Sequence, residues 1–156
     1  VERVSTRLGV ALLAALTILP GVPTAFLIVP GHRVGPIVLG MRVVQVFQYL
    51  GPPSNRSGSE GSGKFSWPHR GITVRVDSGG HVDTVFVEHP LYRTAQGVGV
   101  GSGLEEVLRA FGPTHQAQED RTTLVLAYPG LGISFALDKS RGERVQMVVV
   151  YRPMRP

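Results

Sequence analysis

A chain of 156 residues with 42% hydrophobic and 17% charged residues is long enough to bury a core and too apolar to be disordered throughout. Its formal charge of +5 comes from basic residues scattered without any run of three, which excludes the clustered basic footprint of a nucleic-acid binder. The absence of cysteine excludes disulfides, thiolate metal sites and an acylated N-terminal Cys, so an exported domain of this kind is held by its core alone.

The first element in the chain is a targeting segment. Arg3 and Arg7 precede an uncharged apolar run over residues 8–19, then Pro20, Gly21 and Pro23, then the small residues Thr24 and Ala25. That is the order of a secretory signal. Residues 1–25 are therefore expected to be a signal peptide cleaved after Ala25, or a membrane anchor if the uncharged stretch continues through residues 26–29. Cleavage makes the protein periplasmic or secreted, retention makes it membrane-associated through this segment, and a cytoplasmic chain is the remaining alternative.

The remainder reads twice. At one constant offset "LGMRVVQVFQYLGPP" falls on "VGSGLEEVLRAFGPT", with Gly40 on Gly101, Val46 on Val107 and Gly51 on Gly112. The same offset places "WPHRGITVRVD" on "YPGLGISFALD", and after a two-residue insertion "VDTVFVEHP" falls on "VQMVVVYRP". Two units are expected, over residues 35–90 and 97–153, each a helix followed by three antiparallel strands. The helices, over 41–50 and 102–111, end at Gly-Pro, where the Gly takes a left-handed cap and the Pro stops the helix. "SNRSGSEGSGK" and "THQAQEDRT" read as polar loops, and "PHRG", "DSGG", "PGLG" and "DKSRG" as hairpin turns. The expected fold class is α+β, a two-layer helix-on-sheet domain that is a monomer with internal pseudo-symmetry, with one continuous sheet or two.

"GVGVGSGLEEVLRAFG" (97–112) has the glycine density of a phosphate loop. A dinucleotide loop opens a helix inside a βαβ unit, whereas hairpins follow here, and the twin segment keeps only Gly40. The stretch reads instead as a helix start, with Ser102 as N-cap, Glu105 completing a capping box and Gly101 supplying the turn. No cofactor is expected.

Catalysis needs convergent groups. His69, His81 and His89 sit at strand ends, Glu105–Glu106 and Glu119–Asp120 are sequence neighbours that diverge or are solvated, and Asp77 and Asp138 precede hairpin turns whose N–H groups they are placed to accept. No catalytic, cofactor or metal residue is assigned. The alternative, a small hydrolase-like or metal-binding enzyme with a loop-built site, requires His69, His89 and Asp77 to meet. If Val85, Val87, Val148 and Val150 face the helices, then Thr73, Arg75, Thr84, Phe86, Met147, Val149 and Tyr151 lie on the other face. Arg75, Phe86, Met147 and Tyr151 make that face a candidate partner-binding surface.

"IVLGMRVVQVFQYLGPP", with Gly40-Met41, Val46, Leu50-Gly51 and Pro53, followed by Gly71-Ile72 and the Val82, Val85, Val87 spacing, resembles the SmpA/OmlA family of outer-membrane assembly lipoproteins, also called BamE. Two such units in tandem are similar to the β-lactamase inhibitory proteins. The resemblance implies an exported, non-catalytic domain with helices on an antiparallel sheet, acting on an envelope or secreted protein by contact. The missing Cys rules out that family's lipid anchor, and the inhibitors' disulfides are absent too.

Overall fold

The alternating apolar segments of the sequence lie side by side in one large sheet. The computed structural model describes residues 21–59, 62–114 and 116–155; most of the expected signal segment, residues 1–20, lies outside the described residues. In chain order, β1 (Leu27–Val29), β2 (Arg33–Val34) and β3 (Ile37–Val38) precede helix α1 (Val43–Leu50). Then come β4 (Asn55–Ser59), β5 (Ser62–Trp67), β6 (Ile72–Val76), β7 (Val82–Val87) and β8 (Arg93–Thr94). Helix α2 (Leu104–Phe111) is followed by β9 (Gln116–Glu119), β10 (Thr123–Tyr128), β11 (Ile133–Asp138) and β12 (Arg144–Tyr151).

The expected α+β pair of helix-plus-three-strand repeats is overturned. The described chain is mostly β: an eight-stranded sheet, β4-β5-β6-β7-β12-β11-β10-β9, and a four-stranded one, β3-β2-β1-β8, with only two eight-residue α-helices. Two misreadings account for the difference. The polar stretches read as loops contain the outer strands β4 and β9, which show no apolar alternation because β9 is exposed along its whole length and Asn55, Arg56, Ser57 and Gly58 of β4 are exposed as well. No strand is expected before residue 35 either, whereas residues 27–29, which only the alternative of a retained anchor would include, form β1, paired with β2 and β8, with Ile28 buried. Among the described residues no helix is long and apolar enough to cross a membrane.

The large sheet is continuous, joined at its centre by β7 and β12 in antiparallel register, Phe86 opposite Val149. Directly opposed residues share a face, so register alone defines rows that cross six strands. One runs Phe65–Val74–Val85–Val150–Ile133–Tyr128 and another Trp67–Ile72–Val87–Val148–Phe135–Leu126. Every member is buried. At about 1.5–3 kcal/mol for each large apolar side chain taken from water, these two rows supply a large share of the drive to fold. Both helices cover this face: Phe47 of α1 meets Phe65 and Trp67, and Phe111 of α2 meets Tyr128 and Phe135.

The helix ends carry a matched device. Gly51 and Gly112 close the helices at φ 78° with ψ −172° and −176°, the mirror-extended region that only glycine enters cheaply, and not the left-handed cap expected. Each glycine's carbonyl then accepts a hydrogen bond from the aromatic residue ending the second strand that follows: Trp67 Nε1–H at 3.0 Å to Gly51, Tyr128 O–H at 2.8 Å to Gly112. The capping box also shifts by one residue. Gly103 is the N-cap of α2 and its N–H reaches Glu106 at 3.5 Å, while buried Ser102 accepts from the Gly99 N–H at 3.1 Å.

Candidate binding face

The side chains pointing away from the helices form three further rows. Lys64–Arg75–Thr84–Tyr151 is one, Ser66–Thr73–Phe86–Val149–Ser134–Ala127 the central one, and Val125–Ala136–Met147 the third. No described helix packs here. A groove of about 410 Å³ opens at the centre, lined by Arg75, Asp83, Thr84, Phe86, Val149, Tyr151, Arg152 and Met154. A second hollow, bounded by Ser57, Lys64 and Arg75 among others, adjoins it.

Of the four residues expected to form this surface, Arg75, Phe86 and Tyr151 line the groove. Met147 is on the same face, opposite Ala136, but outside the groove's lining. Their settings differ. Phe86 has the Lys64 ammonium 5.1 Å from its ring centre, a geometry in which cation and π face attract. Tyr151 is held by its hydroxyl, 2.8 Å from Ser134 Oγ and 3.3 Å from the Ile133 carbonyl.

Three groove residues are missed by alternation: Arg152 and Met154, which follow the end of β12, and Asp83, which lies within β7. Strict alternation puts it beside Val85, facing the helices, where an unpaired carboxylate is costly. A bulge between Arg75 and Val76 breaks the register and turns Asp83 to the open face. There it meets Arg75 Nε at 2.8 Å and accepts from the Thr84 hydroxyl at 2.8 Å. A charged residue in an inward slot was the available signal. The ion pair is half-exposed and contributes at most about 1 kcal/mol, so its effect is to fix the Arg75 side chain in place.

The histidines and Asp77 do not gather. His69 and His89 line one hollow with Phe26, Arg70, Leu91 and Tyr92, at the start of β6 and the end of β7. Asp77 lies past the other end of β6, beside His81 at 3.5 Å, so the length of the strand, roughly 17 Å, separates it from His69. Among the described residues no three His, Asp or Glu side chains are grouped to hold a metal ion.

Asp77 and Asp138 do take the hairpin positions expected. Asp77 accepts the N–H of Gly79 at 2.9 Å and of His81 at 3.0 Å; Asp138 accepts the Ser140 hydroxyl at 2.6 Å and N–H at 2.9 Å. The His81 N–H is the main cause holding the Asp77 carboxyl below the ordinary 3.8, and the Ser140 hydroxyl does the same for Asp138. With folded values depressed, the stabilisation is complete above the unfolded value and is lost as pH falls through the folded ones. Urea midpoints are therefore expected to hold from neutral pH down to about 5 and to fall below about 4, with a shallower fall in the Asp77→Asn, Asp138→Asn double variant.

No protein-family model matches the chain, and no curated protein matches it. Solved structures do. The uncharacterized protein yfeY from Escherichia coli matches with a TM-score of 0.56 at 14% identity, over 80% of this chain and 99% of its own. A DUF4309 family protein, YjgB from Bacillus subtilis, matches at 0.52 and 11% identity, over 76% and 84%. An extracellular protein containing a SCP domain from Bacillus anthracis matches at 0.52 and 12%, over 73% of this chain; the chain spans only 44% of that protein. At such identities the likeness concerns the fold. It lies with β-rich SCP-containing and DUF4309 proteins, and with the mostly β architecture of the described residues it overturns the resemblance to SmpA/OmlA and the β-lactamase inhibitory proteins.

Proposed function

We propose that this chain is an exported, non-catalytic module that binds an envelope or secreted protein on the open face of its eight-stranded sheet. The observation that carries the reading is the central groove: an aromatic pair, Phe86 and Tyr151, with Val149 and Met154, rimmed by Arg75 and Arg152, on the face opposite both helices. Aromatic and Arg side chains with a polar rim are the composition of protein contact surfaces, and a rigid sheet presents them with little ordering cost. Export is supported by the basic, apolar, small-residue order of residues 1–25 and by fold neighbours that include an extracellular protein.

The test is affinity capture from envelope extract with the native chain and with the Phe86→Ser, Tyr151→Ser double variant. A specific partner is expected with the native chain and is lost in the variant, whose circular dichroism and urea midpoint report that it still folds. Capture that survives the double substitution overturns the assignment of the face.

A further inference from the structure

The two halves of the large sheet are built alike on one face and differently on the other. About the β7–β12 junction, β5, β6 and β7 correspond to β10, β11 and β12, and the pairings agree: Trp67 faces Ile72 as Tyr128 faces Ile133, and a bulge falls at the same place, after Arg75 in one half and after Ala136 in the other. On the helix side the matched positions remain apolar and buried, as Ile72 with Ile133 and Val85 with Val148 show. On the open side they diverge. The row Lys64–Arg75–Thr84 in one half corresponds to Val125–Ala136–Met147 in the other. Packing explains the agreement of the buried rows; on the open side Thr84 and Ala136 are buried as well, and the contrast is that of exposed Lys64 and Arg75 with half-buried Val125 and Met147, which burial alone does not require.

Resting on the reading above, we infer that the partner segment received by this face is a peptide with acidic side chains toward β5–β6 and apolar side chains toward β10–β12. The charge count sets the sign. Among the described residues Lys64 and Arg152 have no ion-pair partner, and the carboxylate in the groove, Asp83, is taken by Arg75. A carboxylate on the β5–β6 side of the groove gains Lys64 as an uncompensated cation, and Arg152, which follows β12 and lines the same groove, adds a second across it, whereas a basic group meets repulsion. The opposite row offers the uncharged side chains Val125 and Met147 beside buried Ala136, which favour apolar side chains, and beyond Val125 it ends at Gln118 of β9, next to Glu119 and Asp120, acids that add repulsion against a carboxylate on that side. Between the two, Phe86 and Val149 form the apolar centre over which such a segment changes character.

The probe is a labelled peptide in which a glutamate block is joined through a glycine spacer to a leucine block, followed by fluorescence anisotropy at low and high salt. Two control peptides replace the glutamates by lysine or the leucines by serine. The native chain is expected to bind the first peptide and neither control, with affinity falling as salt rises. Lys64→Glu combined with Arg152→Glu, which leaves the Arg75–Asp83 pair intact, should weaken binding about tenfold or more. Arg109→Glu, in α2 on the opposite face, should leave it unchanged. Equal binding of the lysine peptide, no response to the double substitution, or binding only to phosphatidylglycerol vesicles overturns the inference. If the glutamate–leucine peptide fails while Phe86 and Tyr151 still govern partner capture, this inference falls and the wider reading stands; if capture fails as well, both fall.

Discussion

Replacing Trp67 by alanine is expected to lower the unfolding free energy by about 4 kcal/mol, measured by urea denaturation. The side chain is fully buried in the row that crosses the sheet, touches Phe47 of α1, and donates its indole N–H to the Gly51 carbonyl. Removing it leaves a cavity under the helix and an unpaired carbonyl at the helix end together. Trp67→Phe separates the two contributions. It keeps much of the packing and loses the hydrogen bond, for a cost of about 1–3 kcal/mol. If alanine and phenylalanine are equally damaging, the bond to Gly51 matters more than the packing; if phenylalanine is harmless, the match with Tyr128 and Gly112 reflects packing alone.

Gly132→Ala is the second large effect, about 3 kcal/mol by the same measurement, although it adds a single methyl group. Gly132 sits at φ +73°, where an L side chain costs about 1–2 kcal/mol. Its Cβ would lie 2.2 Å from the Tyr151 carbonyl oxygen and 2.6 Å from the Gly31 Cα. Both are backbone atoms and neither can swing aside, so the overpacking penalty of about 1–3 kcal/mol adds to the conformational one. Gly132 also accepts the Gly31 N–H at 3.1 Å, and the segment carrying Gly31 joins β1 to β2, so the substitution pushes directly on the connection between the two sheets. Gly112→Ala offers a contrast: φ is again positive, but a Cβ there meets nothing within 4 Å, so its cost should be smaller.

The helix-facing rows were legible because Ile72, Val74 and Val76 alternate with Thr73, Arg75 and Asp77, and an alternating pattern over a half-covered sheet has one physical reading. The face holding Phe86 and Tyr151 followed from the same pattern. What stayed hidden has separate causes. β4 and β9 lie at the ends of the sheet, where one neighbour suffices and polar residues are tolerated, so Asn55–Ser59 and Gln116–Glu119 carry no periodic mark. The second sheet is made of strands two or three residues long, below any length at which alternation is readable; buried Val34 and Ile37 look like isolated apolar residues in a turn-rich stretch. Asp83 required a bulge, a local register slip that the sequence marks only by a carboxylate in an inward slot and that the pairing locates.

The mismatch between the two open rows bears on direction. A strictly twofold face would accept an extended segment equally well run either way, because rotating the segment half a turn restores every contact. Here one orientation sets a segment's charged end against Lys64 and the other sets it against Val125. On the inference that this face receives a segment, the lost symmetry would let it distinguish the start of that chain from its end.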